Sequence, residues 1–282
     1  MPNDITFKLA EKREITAIPN LLAELEEMRH ESRARLFFRG HGRIGDLLVP
    51  SIGRPRSFGG AHLPKFTFEQ ERLLLHRFRR FAYTHLGRVI SEWEALLLAR
   101  HHGLPTRLLD WSMSPLAALF FACSEEPDKD GCLWAFARFT EDKSRRTKDL
   151  DVIEAMIKGK TPLVHFLTRQ APRPPKVTND YVRLVYPVSN TPRIIVQGGA
   201  FTLHSNPTLP LNEYAGVGFK PGKLDVRQLV RWPITAQNKH RFLVFLEICG
   251  ISRRSLFPDL DGLCTSLWQT ETLFEGKPPP NR

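Results

Sequence analysis

The sequence predicts an α+β fold in a single domain, with a mixed or antiparallel sheet and a substantial helical portion. Three observations lead there. Apolar residues recur at three- and four-residue spacing over several long segments, the period of a helix with one buried face. Short β-type runs such as RLFFRG (35–40) and GCLWAFARF (131–139) stand between those segments. The two kinds of segment are interspersed unevenly, without the regular strand–helix–strand repeat of a parallel α/β sheet.

Each element has its own justification. Residues 17–30 (AIPNLLAELEEMRH) form a short amphipathic helix, with Asn20 as cap and Leu21, Leu22, Leu25 and Met28 on one face. RLFFRG is a strand stopped by glycine, and the glycine-rich stretch 40–64 is irregular. A long helical region over 67–101 carries Leu74, Leu75, Phe78 and Phe81, breaks near Gly87, and resumes with Trp93, Leu96, Leu97 and Arg100. Arg72, Arg79 and Arg80 are expected on its wet face. Ser114-Pro115 opens another helix, serine as N-cap and proline where its missing N–H costs nothing, with Leu116, Leu119, Phe120 and Cys123 as its core stripe. RIIVQGGAFTLH (193–204) reads as a strand bent at its two glycines. Residues 239–250 and 259–272 are the last helices. Residues 1–34 are read as a helical lead-in, 35–275 as the main domain, and 276–282 as a loose tail.

Composition narrows the function classes. At 282 residues and 41% hydrophobic, the chain supports one large core or two small domains at most. Lysine and arginine number 41 against 30 aspartates and glutamates, a net charge of +11. That balance attracts polyanions, and it equally fits a merely soluble basic surface. Cys123, Cys132, Cys249 and Cys264 form no CxxC pair and sit in apolar runs, so buried free thiols in a reducing compartment are expected rather than disulfides or zinc ligands. MPNDITFKLAEKREI lacks the apolar core of a signal peptide, and no run of about 18 apolar residues occurs. A cytoplasmic protein without membrane contact is expected.

The densest chemistry lies in HHGLPTRLLDWSMSPLAALFFA (101–122), where polar residues stand at the mouth of a helix that must be buried. A helix N-terminus offers unpaired N–H groups and partial positive charge to an anion, which Ser112 and Ser114 can also bind; alternatively Ser114 only caps the helix. Arg107 and Asp110 make a structural ion pair, or the arginine clamps a phosphate while the aspartate accepts a ribose hydroxyl. His102 ends the preceding helix as a dipole partner or a ligand contact; adjacent histidines point apart, so no shared metal is expected. In FFRGHG, Arg39 and His41 are either edge residues or polar groups aimed into a pocket, and Gly40 and Gly42 permit a close approach. Gln197, between an apolar run and two glycines, holds the sheet edge or a ligand. GxSxG, Walker A, GxGxxG and HExxH patterns are absent.

Phe38-Arg39-Gly40, LVPSIGR (48–54), HHGLPTRLLDWSMSPLAALFFA, RIIVQGGAF and SLFPDLDG (255–262), in this order, resemble the FRG domain family over about residues 35–265. The family is bacterial and phage-associated, so the resemblance implies a toxin or phage-defence role. The order of pieces is also similar to the ADP-ribosyltransferase plan. There, Arg39 would match the NAD-holding residue of the first strand, Ser112 and Ser114 the serine motif, and Gln197 the position of the catalytic glutamate. Glutamine can hold a ribose hydroxyl but supplies no charge to a developing oxocarbenium ion, which leaves that role to another carboxylate such as Asp110. Two functions follow as expectations. One is an NAD-dependent ADP-ribosyltransferase or NAD-cleaving toxin with a nucleic-acid or protein acceptor. In it, Arg39, Asp110 and Gln197 are catalytic, and Arg39, His41, His102, Arg107, Ser112 and Ser114 hold NAD. The other is a non-catalytic nucleotide- or nucleic-acid-binding module, in either case with an antitoxin or another defence protein as partner.

Overall fold

The computed structural model describes residues 5–32, 34–58, 61–63, 66–138, 177–178, 182–186, 192–216, 218–219 and 226–274. The strands are β1 (Ile5–Thr6), β2 (Lys8–Glu11), β3 (Leu36–His41), β4 (Arg56–Phe58), β5 (Ala61–Leu63), β6 (Leu108–Ser112), β7 (Gly131–Arg138), β8 (Val177–Thr178), β9 (Val182–Val185), β10 (Gly199–His204), β11 (Gly218–Phe219) and β12 (Val226–Ile234). The helices are α1 (Ile18–Ser32), α2 (Phe68–Leu86), α3 (Glu92–His101), α4 (Pro115–Ser124), α5 (Pro192–Val196), α6 (Ala236–Ile248), α7 (Arg253–Leu256) and α8 (Leu260–Phe274). Seven strands form the main sheet in the order β2-β12-β7-β3-β6-β10-β9. All neighbours pair antiparallel except β2, which joins β12 in parallel. The fold is thus α+β with a mixed sheet.

Period-two alternation with apolar residues on both faces explains the central strands. Leu36 and Phe38 of β3, Leu133 and Ala135 of β7, and Val230, Trp232 and Ile234 of β12 pack under α1, α4 and α6. Phe37, Trp134, Phe136 and Leu229 point to the opposite core, where Phe37 stacks on Phe136 with ring centroids 5.0 Å apart. α2 and α3 cover the far end of the sheet, burying Leu75, Trp93 and Leu96 against Leu108, Phe201 and Leu203.

α4 is apolar nearly all round, as a helix buried in the middle of a protein must be. It lies directly on β3. A Cβ at Gly40 would stand 2.0 Å from the Ala118 carbonyl oxygen and 2.5 Å from the Ala122 nitrogen, so only glycine admits this helix. The close approach expected of Gly40 is therefore to the chain's own helix. Gly42 likewise abuts Glu125. Thr67 and Gln70 form a reciprocal capping box at the start of α2, and Gly87, with φ of 66°, ends it.

Several expectations are corrected. Helix α1 starts two residues before Asn20, which lies inside it. Phe81 is exposed, because the buried stripe of α2 runs through Glu71, Leu75, Phe78 and Ala82, and Phe81 stands off that face. Cys249 and Cys264 are exposed, whereas Cys123 and Cys132 are buried; all four are free thiols. RIIVQ is the short helix α5, and strand character begins only at Gly199, with Gly198 (φ 56°) making the change. Leu260, Leu263 and Leu267, which the spacing sets on one apolar side of the helix over 259–272, are not a buried stripe: Leu260 and Leu267 of α8 are exposed and Leu263 is half-buried. The strand β6, read above only as the approach to a helix, sits between β3 and β10. The proline-rich basic stretch RQAPRPPK (169–176), expected from its composition to be an exposed loop, the Arg145-Arg146 pair, a basic pair that would support nucleic-acid binding, and the tail 276–282 lie outside the described residues. Among those that are described, no helix is long and apolar enough to cross a membrane.

Candidate functional site

The site arises where two neighbouring strands part. β3 and β6 pair at a single position, Phe38 opposite Ser112. Beyond it the strands no longer pair with each other, and the Arg39 guanidinium bridges the gap, Nη1 donating to the Asp110 carbonyl at 2.9 Å. A cavity of about 1020 Å³ opens there, walled by the end of β3 and the loop after it, the end of α3, strand β6, α4, and the α5–β10 turn. Five arginines (39, 43, 54, 100 and 193) face three carboxylates (Asp46, Asp110 and Glu125), so the cavity is net cationic.

The centre of that wall is a cluster of two guanidiniums on one carboxylate. Arg100 donates Nε to Asp110 Oδ1 at 2.9 Å and Nη2 to Oδ2, and its Nη1 to Ser51 Oγ at 3.0 Å. Arg39 Nη1 lies 3.6 Å from the same carboxylate. Burial works against the charge of Asp110, but the two guanidiniums, Arg100 foremost, outweigh it and hold its pKa below the ordinary carboxylate value. Burial lowers the pKa of Arg39 to about 10, which leaves it charged at neutral pH. Arg39 Nε donates to His41 Nε2 at 2.9 Å, so the proton of this imidazole sits on Nδ1. Burial first, then the cations Arg39 and Arg54, push the pKa of His41 down to about 2 against a weak opposite pull from the Asp46 backbone. Burial raises the pKa of Glu125, with Arg39 and Arg54 opposing it.

Two arginines stand apart from this paired centre. Arg54 is half-buried, donates Nε to the Val49 carbonyl at 3.3 Å, and has no carboxylate at ion-pair distance among the described residues. Arg193 on α5 lies over the Phe257 ring, 4.4 Å from its centroid, and likewise has no carboxylate at ion-pair distance among the described residues. Burial lowers its pKa, with Asp259 and Asp110 opposing and Arg253 adding to the effect. Both arginines line the cavity.

Of the residues singled out in the sequence, Arg39, His41, His102, Asp110, Ser112 and Gln197 meet at this cavity, and Arg107 and Ser114 do not line it. Arg107 is fully buried. Its Nε donates to both Glu71 oxygens at 2.9 and 3.1 Å, and its Nη1 to the carbonyls of His204 and Ser205 at 3.2 and 2.8 Å. The Arg107–Asp110 pair does not form; Asp110 pairs with Arg100 instead. Ser114 accepts from the Ala117 N–H at 3.2 Å as the N-cap of α4. Ser112 Oγ donates to the Gln197 carbonyl at 2.6 Å and accepts from the Ser114 N–H at 2.9 Å, pinning the α5–β10 turn to the start of α4. The Gln197 side-chain amide donates to the Leu256 carbonyl at 3.0 Å. His101 and His102 stack edge to face at the end of α3, 5.0 Å apart, and both line the cavity. Sequence reasoning passed over Arg54, Arg100, Arg193 and Glu125. Arg100 was legible as an arginine continuing an apolar helical stripe, and Arg54 and Arg193 as the arginines bounding LVPSIGR and RIIVQGGAF. Glu125 carries no comparable signal.

Fold and site together define a mixed α+β protein with an arginine-walled cavity where two sheet strands part. Residues 34–131, from just before β3 to the first residue of β7, match the family model of the FRG domain. The matched span holds Arg39, His41, Arg54, Arg100, Asp110 and Glu125; Arg193 and Gln197 lie beyond it. No curated protein and no solved structure shows a significant match to the chain.

Proposed function

We propose that this cavity binds a phosphate-bearing nucleotide, with NAD the first ligand to test. The observation that carries the reading is a pair of cavity-facing guanidiniums, Arg54 and Arg193, without carboxylate partners among the described residues, in a net cationic cavity. A guanidinium presents a planar fork of donors that matches phosphate oxygens. The volume, about 1020 Å³, is at the upper end of the roughly 300–1,000 Å³ typical of ligand pockets and gives room for a dinucleotide. Arg39 and Arg100, fixed on Asp110, set the shape of the wall behind the ligand.

The resemblance to FRG proteins and to the ADP-ribosyltransferase plan supplies the biological setting of the proposal. In it, the protein is a toxin or phage-defence effector that splits NAD and passes ADP-ribose to a nucleic-acid or protein acceptor, held in check by a partner such as an antitoxin. NAD supplies the leaving nicotinamide and the electrophilic sugar; the chain supplies anion binding and a carboxylate near the ribose. Glu125 suits that role better than Asp110, whose charge is already shared by two arginines. A second reading, a nucleotide-binding module without catalysis, is favoured by one observation. The Asp110 carboxylate and the Gln197 amide are both engaged by the protein itself.

Calorimetric titration of the pure protein with NAD and ADP-ribose, alongside nicotinamide release, separates the readings. Binding that Arg54→Ala weakens, with nicotinamide released, supports the enzyme; the same binding without release supports the module. Failure of both ligands to bind at low salt refutes the nucleotide reading.

A further inference from the structure

The cations of this cavity fall into two groups. Arg54 acts electrostatically on Arg39, His41 and Glu125. Arg193 acts with Asp110, Asp259, Arg253 and Arg100, and is held on the Phe257 ring, over which Arg253 also lies with its guanidinium carbon 4.9 Å from the centroid. The bidentate Arg100–Asp110 pair, with Arg39 on the same carboxylate, lines the cavity with both of them. The two guanidiniums without carboxylate partners therefore belong to different groups of neighbours, with the Arg39–Arg100–Asp110 cluster and the apolar side chains of Trp111 and Phe201 lining the same cavity. A single compact diphosphate answers only one of these two guanidiniums.

We propose that the ligand carries two phosphate groups separated by an uncharged nucleoside, one bound at Arg54 and the other at Arg193. This rests on the nucleotide reading above and ranks nucleoside bisphosphates, and dinucleotides that bear a further phosphate on the ribose, above NAD itself, which reaches one of the two guanidiniums. Phe257 fixes the Arg193 guanidinium, so its fork is ordered before the ligand arrives and less freedom is lost on binding.

The test uses three probes, each with one adenosine and two phosphates: ADP, adenosine 2′,5′-bisphosphate and adenosine 3′,5′-bisphosphate. They are titrated calorimetrically into the full chain at 0.15 M salt. One of the separated bisphosphates binds about 10-fold or more tighter than ADP, the margin of one charge-assisted contact. Arg193→Ala removes that margin and leaves ADP within about 2-fold, while Arg54→Ala weakens both ligands. Phe257→Leu, which keeps the guanidinium but removes its platform, gives an intermediate loss and serves as the second variant if Arg193→Ala fails to fold. Equal affinity for all three probes overturns the two-phosphate inference and leaves the nucleotide reading standing. So does an Arg193→Ala effect that is the same on ADP and on the bisphosphates. No binding of any probe removes both.

Discussion

Cutting the carboxylate of Glu71 tests whether Arg107 belongs to the scaffold rather than to the ligand site. Glu71→Ala leaves a guanidinium at 0% side-chain exposure that keeps the carbonyls of His204 and Ser205 but loses its charge partner. Removing one member of a buried pair costs about 3–5 kcal/mol, because the remaining charge stays desolvated. For a chain of this size about 2 °C of melting temperature is lost per kcal/mol, so the midpoint falls by about 6–10 °C. Scanning calorimetry reads this directly. The double variant Glu71→Leu/Arg107→Met, which replaces both charges by apolar groups of similar length, recovers most of the loss and keeps nucleotide affinity. A drop below about 2 °C in Glu71→Ala contradicts the burial argument. Loss of ligand affinity in the folded double variant contradicts the placement of Arg107 outside the site.

The buried imidazoles and the buried lysine give two further outcomes. His41 and His204 are held neutral in the fold, with pKa values of about 2 and about 3, both driven mainly by burial. Thr202 Oγ1 accepts from Trp111 Nε1 at 2.9 Å and shares a hydrogen bond with His204 Nε2 at 2.9 Å. Unfolded, both titrate near 6.5, so below that pH the unfolded chain binds protons the folded one refuses, and stability falls as pH falls. Each histidine costs about 2 kcal/mol on going from pH 7 to pH 5, and a urea midpoint unchanged over that range would count against the assignment. Lys239 of α6 is 1% exposed and donates to the carbonyls of Gly42, Glu125 and Glu126 at 2.6, 3.0 and 2.9 Å. Lys239→Met leaves those three carbonyls short of a donor and destabilises by about 2–4 kcal/mol in denaturant unfolding, whereas a neutral effect would show that water replaces the ammonium.

What was legible in the sequence is what local chemistry decides. Ser114-Pro115 marks a helix start through capping and proline geometry alone, and α4 begins there. Leu36, Phe37 and Phe38 read as a strand because β-type residues on both sides need two cores. β6 escaped because LLDWS is short and carries an aspartate; its strand state comes from β10, paired over Gly199–Leu203, a partner about ninety residues away. The helix over 192–196 escaped because RIIV has β-type residues, and tertiary context overrides that weak preference. At the site, the polar residues embedded in apolar runs were readable as a group, but their partners were not. Arg107 and Asp110, three apart in sequence, flank opposite uses: one is buried under α2 and the other faces the cavity. Only the register of β6 separates them.

Ligand recognition at this site depends on a nucleotide's phosphates meeting Arg54 and Arg193 inside the cavity. A crystal structure of the protein with a bound adenosine bisphosphate tests this most directly. The prediction is one phosphate within hydrogen-bond reach of Arg54 and the other at Arg193, with the Arg100–Asp110 pair intact. Phosphates seated on the outer surface, or a nucleotide in the cavity with both guanidiniums turned away from it, would contradict it.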